Sequence, residues 1–205
     1  MNDPDRPLRL DAPREEALEH AAKLVAEAWR SFDRPRPEEP PLDENLRALL
    51  QAGLPQEPVS VHEVLERVRS LGRAEFGVDI ERDYDPSLPE LMGDREQLIQ
   101  AVLNIARNAA QSGARTVTFR TRALRNITIL KQRHKLALEL QVIDDGPGVP
   151  AEIQDKIFNP LVSGREGGTG LGLSLAQTFV HYHHGVIEFE SRPGRTIFRI
   201  LLPLT

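Results

Sequence analysis

The chain has 205 residues, 40% of them hydrophobic, which is enough for one domain of ordinary size plus an appendage. Its 26 basic and 31 acidic residues give a formal net charge of -5 and are interspersed, so we expect neither a nucleic-acid nor a membrane partner. No cysteine is present, which excludes disulfides, thiolate metal sites and a cysteine nucleophile. The charged, proline-bearing first ten residues are not a signal peptide, and we expect a soluble cytoplasmic protein.

The first predicted element is an amphipathic helix over residues 13–32, where apolar residues recur at helical spacing. Proline and charge in residues 34–41 break this helix, and a short helix follows over residues 43–52. We place a domain boundary at residues 53–58. Residues 1–58 are then a helical appendage with a proline-rich linker, and residues 59–205 are one domain.

The second part of the chain begins with two capped helices. Ser60 with Glu63 predicts a capping box before an apolar stripe that extends to residue 71. Residues 72–89 are predicted to form a short strand and a loop. Asp94 with Gln97 predicts another capped start, and the buried stripe of this helix extends from Leu98 to residue 109.

Strand patterns dominate the remaining sequence. Apolar residues alternate in residues 116–122 and 136–143, and the basic span between them is compatible with a hairpin. A helix is predicted over residues 173–184, followed by strands over 186–191 and 196–203 that turn at Pro193 and Gly194. Three helices and four or five largely antiparallel strands predict an α+β fold, a two-layer α/β sandwich with helices on one face of a mixed sheet.

Two asparagines, Asn104 and Asn108, are four residues apart and therefore share one face of the helix that follows Asp94. An amide oxygen is a hard neutral ligand that suits Mg²⁺, which takes one or two protein ligands when phosphates supply others. A solvated helix face or a local hydrogen bond explains an isolated pair better, because such short spacings arise by chance. The pair alone leaves both interpretations open.

The strand over residues 136–143 ends in Asp144, Asp145, Gly146, Pro147 and Gly148. The glycines let a ligand approach the backbone closely. A carboxylate there can accept a hydrogen bond from an exocyclic amine such as N6 of adenine, and it would reject guanine. The same residue types are common in plain turns, so the motif by itself favours a turn.

A dense run of glycines occupies residues 163–173, just before a predicted helix. Backbone N–H groups and the helix dipole at such a start attract phosphates. A flexible linker is disfavoured because Leu171 and Leu173 lead directly into the amphipathic helix. The run lacks the Lys-Ser/Thr ending of a P-loop and does not match Gly-x-Gly-x-x-Gly, which excludes both of those nucleotide sites.

The order of these motifs resembles the histidine-kinase and Hsp90-type ATPase superfamily. The N box of that superfamily corresponds to Asn104 with Asn108, and its first glycine box corresponds to residues 144–148. The F box corresponds to residues 158–160, the second glycine box to residues 168–172 and the final glycine box to residues 194–196. Residues 103–110, 160–168 and 191–194 also look like segments of the nitrogen-regulation sensor kinases. The resemblance extends from about residue 60 to the end of the chain.

The resemblance implies the Bergerat ATP-binding fold and ligands for Mg-ATP. Asn108 would hold Mg²⁺ with help from Asn104, Asp144 would bind the adenine amine, and Gly146 and Gly148 would shape the pocket. The other nucleotide-binding residues that it implies are Arg165, Gly168, Thr169, Gly170, Leu171, Gly172 and Thr196. Residues 161–169, with Arg165, look like the ATP lid of the family.

One departure from the superfamily concerns the position of Asn104. Members that hydrolyse ATP place a glutamate general base there, four residues before the second asparagine. Its replacement by asparagine favours phosphate transfer to histidine over hydrolysis and argues against the anti-sigma serine-kinase branch. We therefore assign no catalytic acid or base, and catalysis would depend on positioning and charge neutralisation.

The phosphorylated histidine of sensor kinases lies in a His-Glu-x-x-Asn/Thr-Pro motif on a dimerising helical hairpin. Neither His20 nor His62 is followed by the rest of this motif, and His181, His183 and His184 are expected to be packed or solvated rather than to bind metal. We expect no self-phosphorylation within these 205 residues. The partners implied are a histidine-bearing dimerisation domain in trans and a response regulator.

Residues 11–58 show a separate similarity. Residues 28–37 and 46–55 resemble the N-terminal arm of pyridoxal-phosphate-dependent decarboxylases. This implies a fused or rearranged segment that brings no cofactor chemistry. The other interpretation is a helical appendage that packs on the ATPase domain or forms a homodimer through Leu18, Val25 and Trp29.

The sequence thus predicts the Mg-ATP-binding catalytic domain of a two-component sensor histidine kinase, which donates the γ-phosphate to a histidine on a separate acceptor helix. The alternative is a nucleotide-responsive binding module, in which ATP orders the lid and changes partner contacts without any transfer. A stand-alone ATPase is the third possibility.

Overall fold

The structure is a computed structural model that describes residues 56–162 and 170–204. The two helices predicted between residues 13 and 52 and the decarboxylase-like segments lie outside these ranges, as do Arg165, Gly168 and Thr169 of the predicted lid. Among the described residues, no helix has the length and apolar character needed to cross a bilayer.

Seven strands and four helices make up the described part. The strands are β1 Glu57–Val59, β2 Asp79–Asp83, β3 Leu91–Gly93, β4 Thr116–Ile129, β5 Gln132–Asp144, β6 Val186–Arg192 and β7 Arg195–Leu204. The helices are α1 Val61–Phe76, α2 Arg95–Gln111, α3 Ala151–Gln154 and α4 Gly172–Tyr182. The main sheet has the order β2-β4-β5-β7-β6, and β1 and β3 form a separate antiparallel pair.

The main sheet is mixed, as predicted. β2 pairs with β4 in parallel, and the other three pairings are antiparallel. β6 and β7 form the predicted hairpin, in which Arg192 pairs with Arg195 across the turn at Pro193 and Gly194. Gly194 has a φ of 81°, a conformation that glycine adopts without strain.

Of the two predicted helix caps, one forms. The carboxylate of Asp94 accepts hydrogen bonds from the backbone N–H groups of Glu96 and Gln97, and it starts α2 as predicted. Ser60 is the N-cap residue of α1, but its side chain makes no capping hydrogen bond, so the predicted capping box is wrong. α1 therefore owes its position to burial of its apolar stripe, which includes Leu65 and Val68.

The helices cover one face of the main sheet. A small apolar cavity between the two layers is lined by side chains from α1, α2, α4, β3 and the central strands β5 and β7: Val61, Val64, Leu91, Leu98, Ala101, Val102, Leu140, Val180, Ile200 and Leu202. Because side chains alternate between the two faces of a sheet, every second residue counted along the strand from Leu140, Ile200 or Leu202 also faces the helices. The two-layer sandwich predicted from the sequence is confirmed.

The β4–β5 hairpin is longer than the sequence predicts. The strands continue through the basic span and turn at Leu130 and Lys131, which have φ values of 47° and 66°. Ile129 near the tip is only 1% exposed and belongs to a cluster with Ala137 and Leu201. This second apolar cluster lies on the sheet face opposite the helices and explains why the strands extend so far.

Candidate functional site

Asp144 is the last residue of β5 and lies on the helix-facing side of the sheet. It is 5% exposed, and its Oδ1 accepts a 2.9 Å hydrogen bond from the backbone N–H of Gly146. Burial raises the pKa of the Asp144 carboxyl, against the effect of that hydrogen bond. The carboxylate of Asp144 is thus shielded from solvent and oriented by the hydrogen bond to Oδ1. It can therefore accept a strong hydrogen bond from the donor group of a ligand.

The neighbouring carboxylate has a different role. Asp145 is exposed, and its Oδ1 accepts hydrogen bonds from the backbone N–H groups of Arg115, at 2.7 Å, and Thr116, at 3.0 Å. The Thr116 and Arg115 N–H groups hold the pKa of Asp145 below its usual value. Asp145 thus ties the end of β5 to the start of β4, which leaves Asp144 as the carboxylate that can bind a ligand.

The glycines after Asp144 are held by the turn between β6 and β7. The N–H of Gly194 donates to the carbonyl of Gly146 at 2.9 Å. Gly148 has a φ of 88°, and a Cβ placed there would lie 3.0 Å from the carbonyl carbon of Arg192. A Cβ on Gly146 would lie 2.7 Å from Oδ1 of Asp144. Both positions therefore need glycine, and the Asp-x-Gly-x-Gly motif forms a fixed loop.

Two hydroxyl side chains lie in line with Asp144 on adjacent strands. Thr196 of β7 pairs with Asp144 of β5, and Ser191 of β6 pairs with Thr196. Thr196 is 3% exposed, and its Oγ1 is 3.0 Å from Oγ of Ser191. Only the family resemblance indicated Thr196, and sequence reasoning missed Ser191. A two-residue turn at 193–194 pairs residue 191 with 196, so the hairpin pattern contained the missing signal.

The asparagine pair lies on α2, which is antiparallel to α4. The backbone N–H of Asp94, before α2, donates to Nε2 of His183 after α4, at 2.9 Å. At the other end of the pair of helices, a Cβ on Gly172 would lie 3.8 Å from Cβ of Asn104. Asn104 is 8% exposed, and its Oδ1 is 3.4 Å from Nη1 of Arg107. The first residue of α4 therefore lies against the first asparagine.

Asn108 lies between this helix junction and Asp144. It is half-buried, one turn beyond Asn104 and close to the end of α2. The residues after α2 lead to the carboxylate loop, because a Cβ on Gly146 would lie 3.6 Å from Cβ of Ala114. We call Asp144, Gly146, Gly148 and Thr196 the carboxylate end, and Asn104, Asn108, Gly170, Leu171 and Gly172 the amide end.

Gly170 and Leu171 lead into α4. The carbonyl of Gly170 accepts from the N–H of Leu161 at 3.2 Å. Gly170 has a φ of 64°, and a Cβ there would lie 2.5 Å from the carbonyl carbon of Leu161. Leu171 is the N-cap residue of α4 and makes no side-chain capping hydrogen bond. The backbone N–H groups in the first turn of such a helix can bind an anion.

The F-box residue Phe158 packs on the edge of the main sheet. Its ring meets those of Phe189 and Phe198 edge to face, with centroids 5.9 Å and 6.3 Å apart. Phe198 follows Thr196 by two residues on the same face of β7. The segment before the glycine-rich run is therefore anchored next to the carboxylate end.

His183 is packed, which confirms one of the two outcomes expected for the histidines near the end of the chain. Its Nε2 accepts the N–H of Asp94, so the ring hydrogen is on Nδ1, 2.7 Å from the carbonyl of Phe179. Burial lowers the pKa of His183. Because both nitrogens are occupied by hydrogen bonds, this histidine joins α2 to α4 and is not a metal ligand.

His62 also has a structural role. Its Nε2 is 3.1 Å from Oγ1 of the fully buried Thr121, and its ring stacks on Tyr84 with centroids 4.8 Å apart. This histidine fixes the start of α1 against the sheet. It is an ordinary residue of this domain, as the sequence suggested.

A family model described as histidine kinase-, DNA gyrase B-, and HSP90-like ATPase matches residues 93–205. The sensory histidine kinase/phosphatase NtrB of Vibrio alginolyticus is 47% identical over 173 residues, which are 78% of this chain and 49% of that protein. NtrB of Salmonella typhimurium strain LT2 is 49% identical over 150 residues, 71% of this chain and 43% of that protein. The chain therefore spans less than half the length of these relatives.

Among solved structures, a mycobacterial sensor histidine kinase, MprB, is 27% identical with a TM-score of 0.59, and the match covers 73% of this chain and 97% of that one. The fold described above therefore recurs in this sensor histidine kinase. The chain belongs to the histidine kinase-, DNA gyrase B- and HSP90-like ATPase family, and its domain is the ATP-binding catalytic domain of the two-component sensor kinase type.

Proposed function

We propose that the domain binds Mg-ATP with the adenine at the carboxylate end and the phosphates at the amide end. The observation that carries this proposal is the buried Asp144, whose Oδ1 is fixed by the N–H of Gly146 beside Thr196. Its carboxylate accepts a hydrogen bond from the exocyclic amine of adenine. Guanine has a carbonyl oxygen at that position, which cannot donate to a carboxylate, so GTP is rejected.

The phosphates would extend along α2 toward the start of α4. This direction follows from the order of the residues, since Asp144 and Gly146 lie beyond the end of α2 and Asn104 lies against Gly172. The N–H groups and dipole of the first turn of α4 attract the phosphate oxygens. Arg165, Gly168 and Thr169 belong to the proposed lid over the phosphates and lie outside the described residues.

Mg²⁺ would be held by Asn108, with Asn104 in support. Both are neutral amides on one face of α2. One or two protein ligands are enough for Mg²⁺, because it takes most of its oxygen ligands from phosphates and water. The bound metal would neutralise charge on the phosphates of ATP. The residues of this chain would orient the nucleotide, and the position of Asn108 one turn beyond Asn104, close to the end of α2, supports this role.

The reaction we propose is transfer of the γ-phosphate of ATP to a histidine on a separate acceptor helix. Asn104 occupies the position where hydrolysing members of the family have a glutamate, and an amide cannot act as a general base for water. Positioning of ATP is then the main contribution of this domain. The proposal includes a dimerising acceptor domain and a response regulator as partners, residues 1–58 as an appendage to the domain at 59–205, and a cytoplasmic location.

Label transfer tests this proposal. The chain is incubated with ATP radiolabelled at the γ-phosphate, Mg²⁺ and a purified dimerisation-and-acceptor domain from a nitrogen-regulation sensor kinase. We expect acid-labile label on the acceptor domain and none when its histidine is replaced by glutamine. The variant Asp145→Asn is the control that keeps the nucleotide site, and Asp144→Asn should give no transfer.

Two results would contradict the kinase proposal in different ways. Binding of Mg-ATP without transfer to a competent acceptor would favour the alternative, a nucleotide-responsive binding module. Steady release of inorganic phosphate that Asn108→Ala abolishes, without any labelled acceptor, would indicate a stand-alone ATPase.

A further inference from the structure

A hydroxyl pair links the carboxylate end to the β6–β7 hairpin, and the proposed function assigns a role to Thr196 but none to its partner Ser191. Val149, just after the glycine loop, donates its backbone N–H to Oγ of Ser191 at 2.8 Å. Oγ of Ser191 is in turn 3.0 Å from Oγ1 of Thr196. The next residue in the row across the sheet is Asp144, which pairs with Thr196. A backbone amide, two hydroxyls and a carboxylate are thus in sequence across three strands.

The direction of the hydrogen bonds in this row follows from the fixed donor at its end. An N–H can only donate, so Ser191 must accept from Val149. A hydroxyl that accepts a hydrogen bond becomes a better donor, which favours donation from Ser191 to Thr196. The hydrogen of Thr196 is then available for another acceptor, and Asp144 is the neighbour of Thr196 on the strand opposite Ser191. Thr196 is 3% exposed, so bulk water does not compete strongly for this arrangement.

We propose that Ser191 is a positioning residue for nucleotide binding, which orients the hydroxyl of Thr196 as a donor toward the space beside Asp144. The inference rests on the proposed function and adds a residue that acts through another one. Ser191 contacts the glycine loop and Thr196, not the nucleotide. The N–H of Val149 takes the acceptor side of the Ser191 hydroxyl, which leaves the hydrogen of that hydroxyl for Thr196.

A positioning role and a purely structural role for Ser191 predict different patterns of nucleotide affinity, and a double-mutant cycle separates them. Dissociation constants for Mg-ADP are measured by calorimetry for wild type, Ser191→Ala, Thr196→Val and the double variant, with urea midpoints recorded for each. Thr118→Val is the matched control for loss of a threonine hydroxyl, because Thr118 lies on the sheet face away from the helices. Ser191→Thr keeps a hydroxyl and should restore affinity.

If Ser191 orients Thr196, Ser191→Ala should weaken Mg-ADP binding about fivefold, the size of one net hydrogen bond. In the Thr196→Val background the same change should have less than about a twofold effect, because no hydroxyl remains to be oriented. An equal loss in both backgrounds, or wild-type affinity in Ser191→Ala, would overturn the inference. If Ser191→Ala does not fold, Ser191→Cys supplies the same comparison with a weak hydrogen-bonding side chain.

The outcome also distinguishes this inference from the proposed function. Wild-type protein that does not bind Mg-ADP at all overturns both. Wild-type protein that binds Mg-ADP, loses binding in Asp144→Asn and shows additive effects at Ser191 and Thr196 keeps the nucleotide site and overturns only the positioning role.

Discussion

The carboxylate end and the amide end of the site are built by different means. The carboxylate end depends on strand register and backbone hydrogen bonds: Asp144 pairs with Thr196, and Gly194 donates to Gly146. The amide end depends on how two helices pack, since Asn104 lies against Gly172 and His183 joins α2 to α4. One end is fixed by backbone pairing between strands and a tight turn, and the other by contacts between two helices.

This difference determines what each end tolerates. A loop held by backbone hydrogen bonds keeps its shape when a solvent-facing side chain is replaced. It is distorted when a glycine gains a Cβ that collides with the neighbouring backbone. A helix junction adjusts by small shifts, so it should respond gradually to changes in side-chain size. Paired substitutions in the same region of the site should show this difference, and their expected effects decrease in the order given.

The largest effect should come from Asp144→Asn. It replaces the proposed acceptor of the adenine amine with an amide that can present a donor, and a hydrogen bond to a charged group contributes about 1.5–3 kcal/mol. We expect Mg-ATP affinity to fall on the order of 100-fold, as measured by calorimetry. Asp145→Asn is the control, since the carboxylate of Asp145 accepts hydrogen bonds from the N–H groups of Arg115 and Thr116. Equal affinity in both variants would remove Asp144 from its role.

The same pair of variants should have opposite effects on stability. Burial raises the folded-state pKa of Asp144, so its ionised form destabilises the fold at pH values above the unfolded-state pKa of about 3.9. Asp144→Asn should therefore raise the urea midpoint at neutral pH. Hydrogen bonds lower the pKa of Asp145, whose contribution is present at neutral pH and is lost as pH falls through its folded-state pKa. Asp145→Asn should lower the midpoint, and an increase would contradict this account.

The next effect compares two glycines of the amide end. A Cβ at Gly170 would lie 2.5 Å from the carbonyl carbon of Leu161 and would need a φ of 64°. A Cβ at Gly172 would make an ordinary 3.8 Å contact with Asn104. Gly170→Ala should lower the free energy of unfolding by about 1–3 kcal/mol and weaken Mg-ATP binding. Gly172→Ala should keep wild-type stability in urea unfolding, and a large loss there would show that the helix junction is as rigid as the glycine loop.

A smaller effect is expected from Asn108→Ala, which removes the proposed protein ligand of Mg²⁺. Affinity for ATP should fall about tenfold in the presence of Mg²⁺, and the loss is limited because the metal keeps its phosphate and water ligands. In the absence of Mg²⁺ the affinity should change little, because Asn108 then has no metal to bind. The measurement is calorimetry with and without Mg²⁺. Gln111→Ala at the exposed end of α2 is the control variant. An equal loss with and without the metal would assign Asn108 to the nucleotide alone.

The smallest effect concerns pH. Burial lowers the folded-state pKa of His183 below the unfolded value of about 6.5, and its Nε2 must be unprotonated to accept the N–H of Asp94. The unfolded state therefore binds more protons below that pH, and stability falls as pH decreases from about 6.5. The burial of His62 acts in the same direction. His183→Gln should be less stable at pH 7.5 but should lose less stability between pH 7.5 and 5.5, and an unchanged pH dependence would contradict the assignment.

Several elements were predictable because their determinants are local. The Pro193-Gly194 turn sets the β6–β7 hairpin, and the side chain of Asp94 starts α2. Asp144 was identified as a candidate by its position after an apolar strand. The different role of Asp145 was not predicted, because its carboxylate binds the N–H groups of residues 115 and 116, which are distant in sequence.

Other features depend on tertiary contacts that no local pattern contains. β4 extends to Ile129 because that side chain is buried against Leu201, although the intervening sequence is basic and polar. Ser60 resembles a capping residue, yet its hydroxyl does not cap α1. The contact between Asn104 and Gly172 needs the antiparallel arrangement of α2 and α4, which the sequence does not specify. The amide end was therefore less predictable than the carboxylate end.

The central claim is that the two ends enclose one molecule of Mg-ATP. The most direct test is a titration of isotope-labelled protein with Mg-ADP, followed by amide nuclear magnetic resonance. We predict that the amide signals of Gly146, Thr196, Asn108 and Gly172 change together with a single dissociation constant. Changes confined to one end, or dissociation constants that differ between the ends, would contradict a shared nucleotide site.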